Sequence, residues 1–199
     1  MDYEINKEIA DSLMKLKGEV RGVAFKTDES FILNRKGEEG IKQVEQKIKE
    51  LGQSLEFRKV ESLDFYPIGL RVISLLVAAN LFKFNKEDIV EMGSAAPKVS
   101  LIMKFFFQYF LSLSRTFSQV GSMWEKHYTS GHLSPEVLDE ERKFISLELE
   151  GADFHPVMCD YLLGYFTRVI EMIIKGKSES EESECTFKGG KVHRFTFRW

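Results

Sequence analysis

The chain has only two cysteines, Cys159 and Cys185, and they fall on either side of a change in sequence periodicity. Pro156–Lys175 places Met158, Leu162, Phe166, Val169, Ile170 and Ile173 at helical spacing, so Cys159 belongs to an amphipathic helix. A polar connection, Gly176–Ser183, follows. Cys185–Phe187 and Val192–Trp199 then read as the arms of a hairpin turning at Gly189-Gly190. Any link between the two cysteines fixes how the last helix meets the last hairpin. His193 lies on the second arm and Glu182 just before the first. Thiolate, imidazole and carboxylate are the donors that zinc collects into a closed tetrahedron. Strict strand alternation sets Glu182 and Cys185 on opposite faces. Glu182 must therefore occupy an irregular lead-in, or Glu181 or Glu184 takes its place. The plain rival is a pair of small buried thiols with His193 as an edge-strand residue.

Upstream, Ile5, Ile9, Leu13 and Leu16 predict a short helix. Glu19–Lys26 alternates and predicts a strand, Phe31–Asn34 a second one, and Phe57–Glu61 a third. Ile41, Val44, Ile48 and Leu51 share one face of a helix closed by Gly52. In the middle, Pro67 opens a helix over Ile68–Phe82. Asn85 caps another that reaches Met92 and ends at Gly93, and Pro97 opens an apolar segment over Lys98–Ser118. A further helix runs from Gly121 to Tyr128. His132–Leu138 and Phe144–Glu150 predict paired strands. The expected fold is α+β: a helical middle packed on an antiparallel sheet, with a C-terminal hairpin tied by zinc. One domain over 1–199 is expected, with N-terminal strands and helices in 1–85 and the rest in 86–199.

Net charge is −3, which offers no broad attraction to nucleic acid. Arg71, Lys104 and Gln108 interrupt the apolar stretches, so no membrane span is expected. Met1-Asp2-Tyr3-Glu4 lacks a basic-then-apolar signal pattern, and a cytoplasmic location is expected. There the cysteines are thiols or metal ligands rather than a disulfide.

The segment from Glu182 to Phe195 resembles the terminal motif of the 4-vinyl reductase domain family: a Glu, a Cys three later, a Gly four beyond, and a Cys before an aromatic ending. Cys159 and Gly164 match the Cys-bearing helix that precedes it. The resemblance implies a zinc on Cys159, Glu182, Cys185 and His193, with His193 standing where the family usually has Cys. Gly22–Phe25 and Gly37–Gly40 resemble the opening of the wider superfamily, which includes haem nitric-oxide/oxygen-binding domains and TRAPP vesicle-tethering subunits. Specific likeness is confined to roughly the second half of the chain. It implies a cavity between central helices and sheet, with Phe106, Phe110, Phe117 and Trp124 as lining candidates, and a homodimer formed through the helical middle. As an aromatic stripe at helical spacing, those rings serve a packed core equally well.

His127 lies roughly where haem-binding relatives place an iron-ligating His. It sits in a polar cluster at a helix end, and the Tyr-x-Ser-x-Arg pattern that holds haem carboxylates is missing, so haem is not expected. No G-x-S-x-G, P-loop, dinucleotide fingerprint or H-E-x-x-H is present. The expected function is non-catalytic binding of a small hydrophobic or aromatic molecule, as sensor or carrier, with a separate signalling partner. The alternatives are a tetrapyrrole-related reductase or carrier, an interaction module without a ligand, and a haem-based gas sensor.

Overall fold

The computed structural model describes residues 3–99 and 112–199. Asn6 accepts a hydrogen bond from the Ile9 amide and starts α1 (Lys7–Leu13). A two-stranded ribbon joins β1 (Glu19–Arg21) to β2 (Phe65–Pro67), with Val20 opposite Tyr66. Between them lies α2 (Val23–Glu50), bent at Gly37, whose φ of 69° and ψ of −173° belong to a region essentially reserved for glycine. Next comes α3 (Ile68–Phe82), buried from Ile68 through Ala79, so it runs through the core rather than over it. Reciprocal bonds open α4 (Lys86–Val99): Asp88 N–H to the Asn85 side chain at 2.9 Å, and Asn85 N–H to the Asp88 carboxylate at 3.0 Å.

Two short helices, α5 (Leu113–Phe117) and α6 (Val120–Glu125), lead into β3 (His132–Asp139) and β4 (Phe144–Glu150). Then come α7 (Pro156–Ile174), β5 (Glu179–Glu184) and β6 (His193–Arg198). The sheet has the order β3-β4-β6-β5, antiparallel throughout. Its inner face carries Ile145, Leu147, Phe195 and Phe197, all buried. There α7 packs with the Phe166 and Phe195 rings edge to face, 5.3 Å between centroids. Buried apolar residues from Tyr3 to Phe197 form one continuous cluster. Among the described residues no helix is long and apolar enough to cross a membrane.

The α+β architecture agrees with the sequence; several elements do not. The strand expected over Glu19–Lys26 stops at Arg21, and the one over Phe31–Asn34 is helix. The helical stripe of α2 includes Thr27 and Asp28, both buried, and a buried carboxylate does not read as an apolar position. The third expected strand, Phe57–Glu61, is a single 3₁₀ turn over Phe57–Lys59. The polar connection is largely β5, an edge strand, where a Glu/Ser-rich composition is tolerated because one side stays open to solvent. Cys185–Phe187 is correspondingly a turn rather than a strand. The helix expected to end at Gly93 continues to Val99, and Pro97 lies within it.

Gly93 is retained inside α4 because α7 approaches it at backbone distance. A Cβ on Gly93 would stand 1.9 Å from the Tyr161 carbonyl oxygen, and one on Gly164 would stand 1.9 Å from that of Val90. Each glycine makes room for the other helix. Gly164→Ala is expected to force the helices apart and cost on the order of 3 kcal/mol, as overpacking does. Chemical denaturation of the variant checks this, and an unchanged midpoint would contradict the close crossing.

Candidate functional site

Two sites share α7. At its N-terminal end His155 caps the helix, accepting from the Val157 amide through Nδ1 at 3.1 Å, and Pro156 supplies the first turn. This orients Cys159 toward the inner face of the sheet, beside the β5–β6 hairpin. In β5, Glu182 pairs with Phe195 and therefore shares its inward face. A register shift between Glu182 and Glu184 then inserts one residue. Glu184 turns outward to pair with Arg194, and Cys185 returns inward. The bulge sets Glu182 beside the thiols and His193, while Glu184 bonds Arg194 and the Lys191 amide.

Cys159 Sγ lies 3.9 Å from Cys185 Sγ and 3.6 Å from His193 Nδ1, which lies 3.0 Å from Glu182 Oε1. The four donor atoms fall within 4.8 Å of one another. A tetrahedral zinc with ordinary bond lengths sets its sulfurs about 3.8 Å apart and sulfur to nitrogen about 3.6 Å apart. The Cys159–Cys185 and Cys159–His193 separations match those two distances. His193 Nε2 faces away, 2.9 Å from Thr186 Oγ1, so the ring is oriented with Nδ1 toward the other donors.

Burial pushes both thiols up, with the Glu182 charge adding to it. Burial also opposes the Glu182 charge, but hydrogen bonds from His193, Cys185 and Cys159 outweigh it and hold that carboxyl below the usual range. The turn after Cys185 is shaped by glycine. Gly189 has φ of 88°, and a Cβ on Gly190 would meet the Cys185 carbonyl at 2.9 Å.

The second site is a cavity between the helices and the sheet, open to solvent on one side, with about 1050 Å³ of free space when that open solvent is counted in. Leu133, Ile145 and Leu147 from the sheet and Phe166, Val169 and Ile170 from α7 make it chiefly apolar. Phe117 and Trp124 are among its lining residues; Phe106 and Phe110 lie outside the described residues. Val20, Val23 and Thr27 line it too, so the N-terminal part of the chain helps to complete the cavity.

One wall is polar, and sequence reasoning missed it. Arg71, 1% exposed, donates from Nε to Asp28 Oδ2 at 3.1 Å and from Nη1 to Tyr128 Oη at 2.6 Å. Its guanidinium sits 4.4 Å from the Tyr161 ring centroid. Burial raises Asp28 from the usual carboxylate range while Arg71 pulls it back. The available signal was a lone arginine in an otherwise apolar helix.

His127 also lines the cavity. Burial, and then the charges of Arg21, Arg71 and Lys126, lower its pKa to about 4, so its imidazole is neutral at neutral pH. It stands on a segment fixed by β1: the Arg21 amide donates to the His127 carbonyl at 2.8 Å. The side chain is half-buried on the cavity wall, although its neighbours Glu125 and Lys126 are exposed.

No family model matches the chain, and no curated protein matches it in sequence. Comparison of folds gives a clear result. An H-NOX protein from S. oneidensis, in its Fe(II)NO ligation state, superposes with a TM-score of 0.67 at 12% identity, covering 89% of this chain and 98% of that one. An oxygen-binding H-NOX domain related to soluble guanylate cyclases gives 0.62 at 15% identity, covering 89% and 94%. An unliganded Fe(II) H-NOX protein from K. algicida gives 0.64 at 12%, covering 89% and 95%. The site belongs to an α+β cavity fold, and that fold is the H-NOX fold. At these identities the likeness is one of fold. Haem nitric-oxide/oxygen-binding domains are among the proteins whose opening this chain's first residues resemble, whereas none of these comparisons singles out 4-vinyl reductase domains.

Proposed function

We propose that the protein is a sensor or carrier domain that takes a hydrophobic, ring-bearing molecule into the cavity, with one structural zinc held by Cys159, Glu182, Cys185 and His193. The cavity carries this reading: its walls are apolar over most of their extent, and it reaches the interior through helices and sheet alike. A zinc with four protein ligands keeps no open coordination position, so the reading is non-catalytic. An interaction module without a ligand calls for a core filled by its aromatic rings, which the cavity argues against. The narrower kinship with 4-vinyl reductase domains, and with it a tetrapyrrole reductase or carrier, rests on the terminal motif alone. Homodimerisation through the middle likewise remains an inference from resemblance; the apolar surface of α3 is spent inside the protomer.

Haem is the second reading, and the likeness to H-NOX proteins adds more to it than to an organic ligand. His127 supplies a neutral imidazole on an apolar wall, which suits an iron and its macrocycle. The haem carboxylates fit less well. Arg71 is the one cation among the described lining residues, and it is committed to Asp28 and Tyr128. If bound, haem would supply an iron able to take a diatomic gas, with His127 as the residue to hold it.

Native mass spectrometry and absorbance on protein purified without chelator or added metal, followed by hemin titration, test both readings. One zinc per chain is expected. A Soret band lost in His127→Ala would establish the haem reading. A co-purified organic mass without a Soret band would establish the first. Uptake of neither hemin nor aromatic probes by a compact chain would overturn the cavity reading.

A further inference from the structure

The polar wall points to a ligand class, given that the cavity is a binding site as proposed above. Helix α3 is apolar around Arg71, and packing alone gives no reason for a charge at its centre. A buried ion pair of this kind rarely stabilises a fold better than apolar residues of the same size would. The pair is electrically balanced, one guanidinium against one carboxylate, and Arg71 is the one formally charged residue among the described cavity linings. An anion seated there would place a second negative charge beside Asp28 in a region of low dielectric. A neutral polar group meets no such penalty.

One hydrogen-bonding valence at this wall is unspent, and a second is poorly met. Tyr128 Oη accepts from Arg71 and keeps its own proton, for which no acceptor is found among the described residues. Donation from a guanidinium makes that hydroxyl a stronger donor in turn. Asp28 Oδ1 is buried and makes no hydrogen bond of good geometry, although the Tyr161 hydroxyl is near enough to help hold the carboxyl down. Tyr128 is held in place by stacking on Trp124, 4.0 Å between ring centroids and 10° between planes. Its backbone is bridged to Val20.

We infer that the cavity selects an uncharged, ring-bearing molecule with a single hydrogen-bonding head, such as a ketone or amide, seated against Tyr128 and Arg71, and that it discriminates against carboxylates of the same shape. Apolar walls hold the ring, Tyr128 donates to the head, and the balanced Arg71–Asp28 pair sets the charge that is admitted.

Three probes on one ring system test this with the full chain at neutral pH: 2-ethylnaphthalene, 2-acetylnaphthalene and 2-naphthoate, titrated against tryptophan fluorescence. The ketone is expected to bind about tenfold more tightly than the hydrocarbon, the worth of one good buried hydrogen bond, and the carboxylate most weakly. In Tyr128→Phe the advantage of the ketone over the hydrocarbon is expected to shrink to about threefold or less. A hydrocarbon that equals the ketone, a carboxylate that binds best, or an undiminished ketone advantage in Tyr128→Phe would overturn the inference. Binding of hemin with none of the three probes would overturn it while leaving the cavity reading intact. Failure of hemin and all three probes would overturn both.

Discussion

With zinc held as proposed, Cys185→Ser is expected to lose it and to melt about 10 °C or more below the parent, because a structural zinc contributes its binding free energy directly to folding. The magnitude separates the two accounts of these cysteines. If Cys185 were only a small buried thiol, exchanging sulfur for oxygen would cost about 1 kcal/mol, or 2–4 °C for a chain of this size. A metal site that loses one of four donors forfeits several times that. Chelator added to the parent should bring it down to the melting temperature of the variant, and should leave the variant itself unchanged. His193→Cys, which replaces the imidazole by a third thiolate, is expected to keep the metal, whereas His193→Phe is expected to lose it. A Cys185→Ser protein with the stability and metal content of the parent would end the zinc reading.

The cluster of Cys159, Cys185, His193 and a glutamate was legible in the sequence because its members are chemically rare: two cysteines, one nearby histidine and a short list of glutamates. What the sequence withheld was which glutamate. That choice depends on the bulge between Glu182 and Glu184, a register feature with no composition of its own. Long amphipathic helices were also legible; Pro156–Ile174 and Ile68–Phe82 stand nearly where their periodicity puts them. The failures share a cause. Asp28 and Arg71 occupy core positions as a pair, so each looks like a surface residue when read alone. Asp28 hid the helical stripe of α2, and Arg71 served only to exclude a membrane span, although it marks the polar wall of the cavity. Gly93 looked like a helix terminator because the chain that demands its lack of a side chain, at Tyr161, is remote in sequence.

Helix α7 gives the two sites a physical connection. Cys159 lies on it one turn or less from Tyr161 and Leu162, which face the cavity, and the close crossing at Gly164 ties the same segment to α4. A metal that fixes Cys159 against the hairpin therefore also fixes the start of the cavity wall.

Arg71→Met should be among the most damaging single substitutions in the chain, costing about 3–5 kcal/mol, because it leaves Asp28 charged and buried without its partner. Both groups are 1% exposed, so water cannot take over the role of the guanidinium. Two controls identify the cause. Asp28→Leu combined with Arg71→Met removes both charges and should recover most of the loss, since an apolar pair of similar volume is often as stable as a buried ion pair. The single variant should also respond to pH in a defined direction. Burial already raises Asp28, and Arg71, helped by the Tyr161 hydroxyl, is what lowers it. Without Arg71 the carboxyl rises further above its unfolded value, near 3.9. The folded variant then binds a proton more readily than its unfolded chain does, so its stability rises as pH falls toward that unfolded value. The deficit relative to the parent should be larger at pH 8 than at pH 5, as read by urea denaturation. A deficit below about 1 kcal/mol, or one that does not change with pH, would show that Arg71 and Asp28 are not the isolated buried pair that defines the polar wall.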